Sequence, residues 1–148
     1  MAARGMTLRL ELQPGLPAPT QDCAPDRVRD AGDACALFAP LVREREEVAA
    51  FAYLDAAGRL LGLRHARSGA RDMLDIPVRD VAADALAFDA AAVVMAHNHP
   101  SGDPTPSAAD REATRQLARA LGALGVRLLD HLVLSERGLT SFRALGLL

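Results

Sequence analysis

Residues 97–110 read HNHPSGDPTPSAAD and gather side chains suited to holding a divalent cation. The apolar run AAAVVMA precedes them. If that run is a strand whose path continues through His97 and His99, the two-residue period turns both imidazoles to one side and Asn98 to the other. Asp110 falls in the first turn of a helical pattern beginning at Ser107, SAADREATRQLARALGALG. It is in phase with Ala113, Leu117, Leu121 and Leu124, whereas Arg111, Arg115 and Arg119 share another face. The carboxylate is therefore expected to point towards the sheet. An isolated buried carboxylate is costly in its charged form, but a cation and two neutral histidines reverse that cost. Two nitrogens, one oxygen and a water make up a four-coordinate catalytic zinc site, with His97, His99 and Asp110 as the ligands. A polar turn or a hydrogen-bonded histidine cluster is the plainer alternative.

A catalytic site needs more than ligands. Ser107 and Asp110 form an S-x-x-D capping pattern, in which the serine accepts an amide hydrogen bond and the aspartate answers it. The same hydroxyl is placed to donate to the oxyanion that forms when a carbonyl is attacked, and the two roles are compatible. A carboxylate must also move a proton from water to the leaving nitrogen. Glu47, at the head of a predicted strand, is the leading candidate and Glu46 its immediate rival; the plainer reading of the tract REREE is a solvated charged end.

The elements that must position these groups follow from periodicity and breakers. ACALFAPLV suggests a helix from Asp33, with Pro40 opposing uninterrupted continuation. EVAAFAYLD reads as a strand, AAG as a turn and RLLGLRHA as the hairpin partner. RSGARDMLD is expected to be a loop with a short extended portion. IPVRDVAADALAFDA reads as a helix with Pro77 in its first turn and Val78, Val81, Ala85 and Phe88 near one face. AAAVVMA is continuously apolar, as expected of a strand covered on both faces. VRLLDHLVLSE supplies another strand and GLTSFRALGLL a short terminal element. The succession predicts an α/β fold, a mixed β-sheet flanked by helices.

The 148 residues, 50% of them apolar, suit one core, with residues 1–29 as an N-terminal extension and 30–148 as the domain. TLRLEL in the extension could add an edge strand, and PGLPAPTQDCAPD reads as a Pro-rich loop. Cys23 and Cys35 form no CxxC pair, which argues against a thiolate zinc site or a secreted disulfide framework. Cys35 is expected to be a small buried helix residue. No signal-peptide pattern or membrane span is read, so a cytoplasmic protein is expected. A formal charge of -2 and 3% aromatic residues provide neither the field nor the stacking platforms typical of nucleic-acid binders.

The pattern H-x-H-x7-S-x2-D resembles the metal-binding signature of the JAMM, or MPN-plus, metalloprotease superfamily. HNHPSGDPTPS together with the later LLDHLVL resembles bacterial RadC-type proteins. The resemblance covers roughly residues 30–148 and is strongest between His97 and Asp110. It implies a JAMM-like α/β domain, zinc on His97, His99 and Asp110, an oxyanion-supporting role for Ser107, and Glu47 at the upstream glutamate position. The usual N-terminal helix-hairpin-helix region of full-length relatives has no counterpart in the residues before the domain. The expected activity is zinc-dependent hydrolysis of a peptide or isopeptide amide through metal-activated water, with a peptide or protein substrate lying extended along a sheet edge. A metal-dependent nuclease and a noncatalytic, metal-stabilised interaction module are the alternatives. Asp130 and His131 alternate on the last long strand and read as an edge-exposed acid and a partly packed histidine, outside the site.

Overall fold

The computed structural model describes residues 25–67 and 76–148. The predicted TLRLEL strand, Cys23 and nearly all of the RSGARDMLD loop lie outside them.

Helix α1, Ala31–Phe38, starts at Asp30, whose carboxylate accepts the backbone N–H of Asp33 at 2.9 Å. This side-chain cap satisfies an amide that has no partner within the helix and moves the start upstream of the expected Asp33. Pro40 ends the α-helix, since its ring lacks an N–H, and the chain tightens into a 3-10 helix over Ala39–Arg43. The hairpin follows as β1, Val48–Leu54, and β2, Leu60–Arg67. Gly58 takes φ +80° in the connecting turn.

Helix α2, Val78–Ala87, buries Val81 and Ala85. Phe88 caps it and lays its ring 5.1 Å from that of Tyr53 and against β2. Gly62 permits that approach, because a Cβ there would stand 2.6 Å from Phe88 Cζ. Strand β3, Ala92–Asn98, leads through the histidine segment to α3, Ala108–Ala123. Strands β4, Arg127–Ser135, and β5, Gly138–Ser141, complete the described elements.

Among the described residues the strands form one mixed sheet in the order β2-β1-β3-β4-β5, with β3 and β4 parallel and the other neighbours antiparallel. This is the predicted mixed sheet flanked by helices, an open MPN-like arrangement. Every residue of β1 and β3 is buried, because each face of the sheet carries its own core. Ala50, Ala52, Leu54, Val94 and Ala96 pack with Phe38 and Leu41 on one side. Ala49, Phe51, Tyr53, Val93 and Met95 pack with Val81, Leu117 and Leu121 on the other. The period of two thus decides which helix each residue of β3 faces.

Two packing expectations are corrected. Leu124 is 40% exposed, because α3 ends before it and Leu124 lies in the turn that leads into β4. Cys35 is half-buried rather than buried, since Ala34 and Phe38 are the α1 residues that enter the core. None of the described helices is long and apolar enough to cross a membrane.

Candidate metal centre

Odd-numbered residues of β3 face α3, so His97 projects between the sheet and that helix and is fully buried. His99 lies just past the strand, although its N–H still donates to Leu134 O at 2.8 Å and prolongs the path alongside β4. Both Nε2 atoms turn to the same point and stand 2.9 Å apart. Asp110, in the first turn of α3 and 3% exposed, closes the group: its Oδ1 lies 3.5 Å from His97 Nε2 and its Oδ2 3.3 Å from His99 Nε2. Glu47 precedes β1 and brings Oε1 to 3.6 Å from His99 Nε2, and Glu47, His97 and His99 form a cluster able to hold a metal ion. Glu46 is exposed, so of the two neighbouring carboxylates it is Glu47 that faces the histidines.

The outer partners decide what the ring nitrogens can offer. His99 Nδ1 lies 2.8 Å from Asp103 O, a pure acceptor, so Nδ1 carries a proton and Nε2 keeps its lone pair in the neutral ring. His97 Nδ1 lies 2.6 Å from Nε2 of His131. Where Nδ1 of His97 donates as Nδ1 of His99 does, two Nε2 lone pairs and a carboxylate converge with no donor among them. That arrangement favours a positive charge between them, a proton or a metal ion. Asp110 responds to this setting. Burial alone would raise its pKa, but when a proton occupies the centre, hydrogen bonds from the imidazoles of His97 and His99, together with the N–H of Ser107, hold it far below the usual carboxylate range. His99 moves up, first through its hydrogen bond to Asp110, against the opposing effect of burial.

The donor set fits zinc. Two ligands each about 2.0–2.1 Å from a tetrahedral zinc lie roughly 3.3 Å apart, close to the nitrogen-to-carboxylate distances of 3.3 and 3.5 Å. The Nε2 atoms need to separate by a few tenths of an ångström from the present 2.9 Å.

Ser107 is the N-cap of α3 in a reciprocal capping box. Its Oγ accepts Asp110 N–H at 3.0 Å, and Asp110 Oδ2 accepts Ser107 N–H at 2.8 Å. The aspartate that faces both histidines is thus also part of the helix cap, which ties its carboxylate to the backbone. Gly102 makes the intervening turn at φ +86° and donates its N–H to His99 O at 3.0 Å.

Three residues that the sequence reading leaves out of the site support it. Asn98 faces the opposite core and clamps the segment around Glu47: its Oδ1 accepts Val48 N–H at 2.7 Å, and its Nδ2 donates to Glu44 O at 3.1 Å and Glu46 O at 2.9 Å. An Asn98→Ala chain is expected to lose about 1–3 kcal/mol of stability, because the buried Val48 N–H is left without an acceptor. A urea midpoint equal to that of the parent chain would contradict that assignment. His131 is fully buried, not partly packed; burial drives its pKa well below the ordinary histidine value. Thr114 Oγ1 stands 2.6 Å from His131 Nδ1 and donates to Asp110 O at 2.6 Å.

Asp130 is likewise buried rather than edge-exposed. Ser141 Oγ donates to its Oδ2 at 2.6 Å, and the N–H groups of His131 and Arg143 donate to its Oδ1 at 2.7 and 3.1 Å. The one available sequence signal for these supports was polarity inside an apolar strand or helix face, since a buried polar group needs partners.

The chain as a whole is similar in sequence to known proteins. The family model described as RadC, the RadC-like JAB domain, matches residues 28–147. A UPF0758 protein of Coxiella burnetii (strain Dugway 5J108-111) is 40% identical over 112 residues, which are 76% of this chain and 50% of the relative. The UPF0758 protein YfjY of Escherichia coli (strain K12) is 42% identical over 105 residues, 71% of this chain and 65% of the relative. In the UPF0758 protein STH371 of Symbiobacterium thermophilum (strain DSM 24528 / JCM 14929 / IAM 14863 / T) identity reaches 56%, over 70 residues that are 47% of this chain and 30% of the relative. The chain spans about half the length of the first of these relatives. With the family model matching nearly all of the described fold, histidine segment included, the chain belongs to the RadC/UPF0758 family of the JAMM/MPN superfamily.

Proposed function

We propose that the chain is a zinc-dependent hydrolase that cleaves a peptide or isopeptide amide. The observation that carries this reading is the convergence of two Nε2 lone pairs and the Asp110 carboxylate with Glu47 beside them. His97, His99 and Asp110 would hold the ion. When bound, zinc supplies a Lewis acid that polarises a carbonyl and makes water more acidic.

The remaining chemistry belongs to the chain's own groups. The side chain of Glu47 is 18% exposed, so water reaches its carboxylate, and it takes a proton from the attacking water and passes it to the leaving nitrogen. Ser107 Oγ accepts from Asp110 N–H and therefore still has its own O–H to donate. That proton is directed to the developing oxyanion, which makes cap and oxyanion support simultaneous roles of one hydroxyl. A substrate chain is proposed to lie extended beside a sheet edge, which among the described residues is either β2 or β5. Backbone hydrogen bonds made there would align the scissile carbonyl while leaving side-chain specificity open.

The test is a peptide and isopeptide cleavage screen with zinc-loaded and zinc-stripped protein, with a DNA substrate run in parallel. Metal-dependent amide cleavage is the expected result. DNA cleavage without amide cleavage would move the chain to the nuclease class, and full amide cleavage by the stripped protein would remove zinc from the reaction. Ser107→Gly separates the two roles of the serine. Glycine at an N-cap costs only a few tenths of a kcal/mol, whereas loss of one oxyanion donor lowers turnover by about 10²-fold. Unchanged turnover in that variant would leave Ser107 as a cap alone.

A further inference from the structure

We propose that His131 and Thr114 are positioning residues that fix the tautomer of His97, so that its Nε2 lone pair is presented to the metal. The proposal rests on the metal reading above and extends it to two residues on other elements, β4 and α3.

The hydrogen-bond chain leaves one consistent assignment of protons. Asp110 O is a backbone carbonyl and can only accept, so at 2.6 Å the Thr114 hydroxyl must donate to it. That donation uses the hydroxyl's single proton. Thr114 Oγ1 can then only accept from His131 Nδ1, also at 2.6 Å, and Nδ1 must carry a proton. A neutral His131 with its proton on Nδ1 has a bare Nε2. That nitrogen lies 2.6 Å from His97 Nδ1, which must therefore be protonated in turn. His97 is left with its lone pair on Nε2, facing His99 and Asp110.

The relay is held where water cannot replace it. His97 and His131 are both 0% exposed and Thr114 is 1% exposed. Phe142 stacks on the His131 ring at 4.4 Å between centroids, with the planes 17° apart, which restrains the ring's rotation. The relay also closes on itself: it begins at the backbone carbonyl of Asp110, whose carboxylate is in the same centre. One helix turn therefore orients one ligand directly and another through the His131 ring. A neutral partner of this kind gives His97 an acceptor for its Nδ1 proton without adding charge to the centre, and loss of an outer partner to a metal-ligating histidine typically costs about 10–100-fold in metal affinity.

Zinc titration of the full chain against a competing chelator, with nitrogen-15 NMR of the imidazoles in the metal-free protein, tests this. Wild type is expected to show the Nδ1–H tautomer at both His97 and His131. His131→Phe keeps an aromatic ring on Phe142 but removes the acceptor, and Thr114→Val removes the hydroxyl; each is expected to weaken zinc binding by about 10–100-fold. Thr114→Ser should restore wild-type affinity, and His131→Gln, whose side-chain carbonyl reaches about the Nε2 position, should bind more tightly than His131→Phe. The serine and glutamine variants keep the test decisive even if His131→Phe fails to fold. An Nε2–H tautomer at His97 in wild type, or wild-type zinc affinity in folded Thr114→Val, would overturn the proposal. A wild-type chain with no specific zinc affinity would instead overturn the metal reading beneath it, and the proposal with it.

Discussion

A Glu47→Gln chain is expected to bind zinc as tightly as wild type and to lose amide turnover by about 10²–10⁴-fold, the usual contribution of a positioned general base. Glutamine keeps the size of the side chain and its hydrogen-bonding reach but cannot take a proton. The Oε1 of Glu47 stands 3.6 Å from His99 Nε2, on the more exposed side of the centre, while Asp110 approaches from α3 with 3% exposure. Water thus has access to Glu47 and little to Asp110. Glu46→Gln is the matched control, because Glu46 is exposed and its backbone carbonyl, held by Asn98, is unaffected by the change. It should retain most of the activity. Equal loss in the two variants would assign the effect to the charge of the segment, and cleavage untouched by Glu47→Gln would reject Glu47 as the base. Loss of zinc in Glu47→Gln would make this carboxylate a ligand, which its place beside His97 and His99 also allows geometrically.

Asp110→Asn is expected to reduce zinc affinity by more than the roughly 10–100-fold that follows loss of an outer partner, because it removes the anionic ligand itself. Wild-type protein purified without a metal-binding tag should carry close to one zinc per chain, and the variant little. Asparagine is preferable to alanine here. Asp110 also accepts the Ser107 N–H at 2.8 Å in the capping box, and an amide oxygen can keep that bond while the negative charge is lost. A circular dichroism spectrum matching wild type would show that α3 still forms, so that the missing zinc reports the ligand rather than the helix. Unchanged zinc content in the folded Asn variant would remove Asp110 from the ligand set. The same outcome would point to Glu47 with the two histidines as the holding group.

Much of the frame was legible in local pattern. The continuous apolar run AAAVVMA announced a strand covered on both faces, and β3 is buried along its whole length. The S-x-x-D pattern announced a helix start, and the capping box is present at Ser107. Strand and helix periods also indicated that His97 and His99 share one side and that Asp110 turns inward, since each period is a property of the backbone over a few residues. The choice between Glu46 and Glu47 was different, because it depends on where the chain enters β1. Asn98 sets that entry by binding Glu44 O, Glu46 O and Val48 N–H from across a strand boundary fifty residues away in sequence.

His131 marks the clearest boundary between what the sequence determined and what only the tertiary structure decided. Alternation correctly separated it from Asp130, as the period of two requires. Which of the pair joins the metal side depends on the register between β3 and β4, and that register slips: Val93 faces Leu128, but Val94 faces Asp130. Leu129 is the extra residue, and a single extra residue reverses the face of every side chain beyond it. His131 therefore comes beside Met95 and His97, while Asp130 turns to Ser141 and Arg143. The sequence by itself determined the strands, the helix cap and the inward face of Asp110, because each arises from interactions among near neighbours in the chain. The bulge, the histidine relay and the place of Glu47 belong to the tertiary structure, because each is a relation between strands that meet only when the sheet has formed.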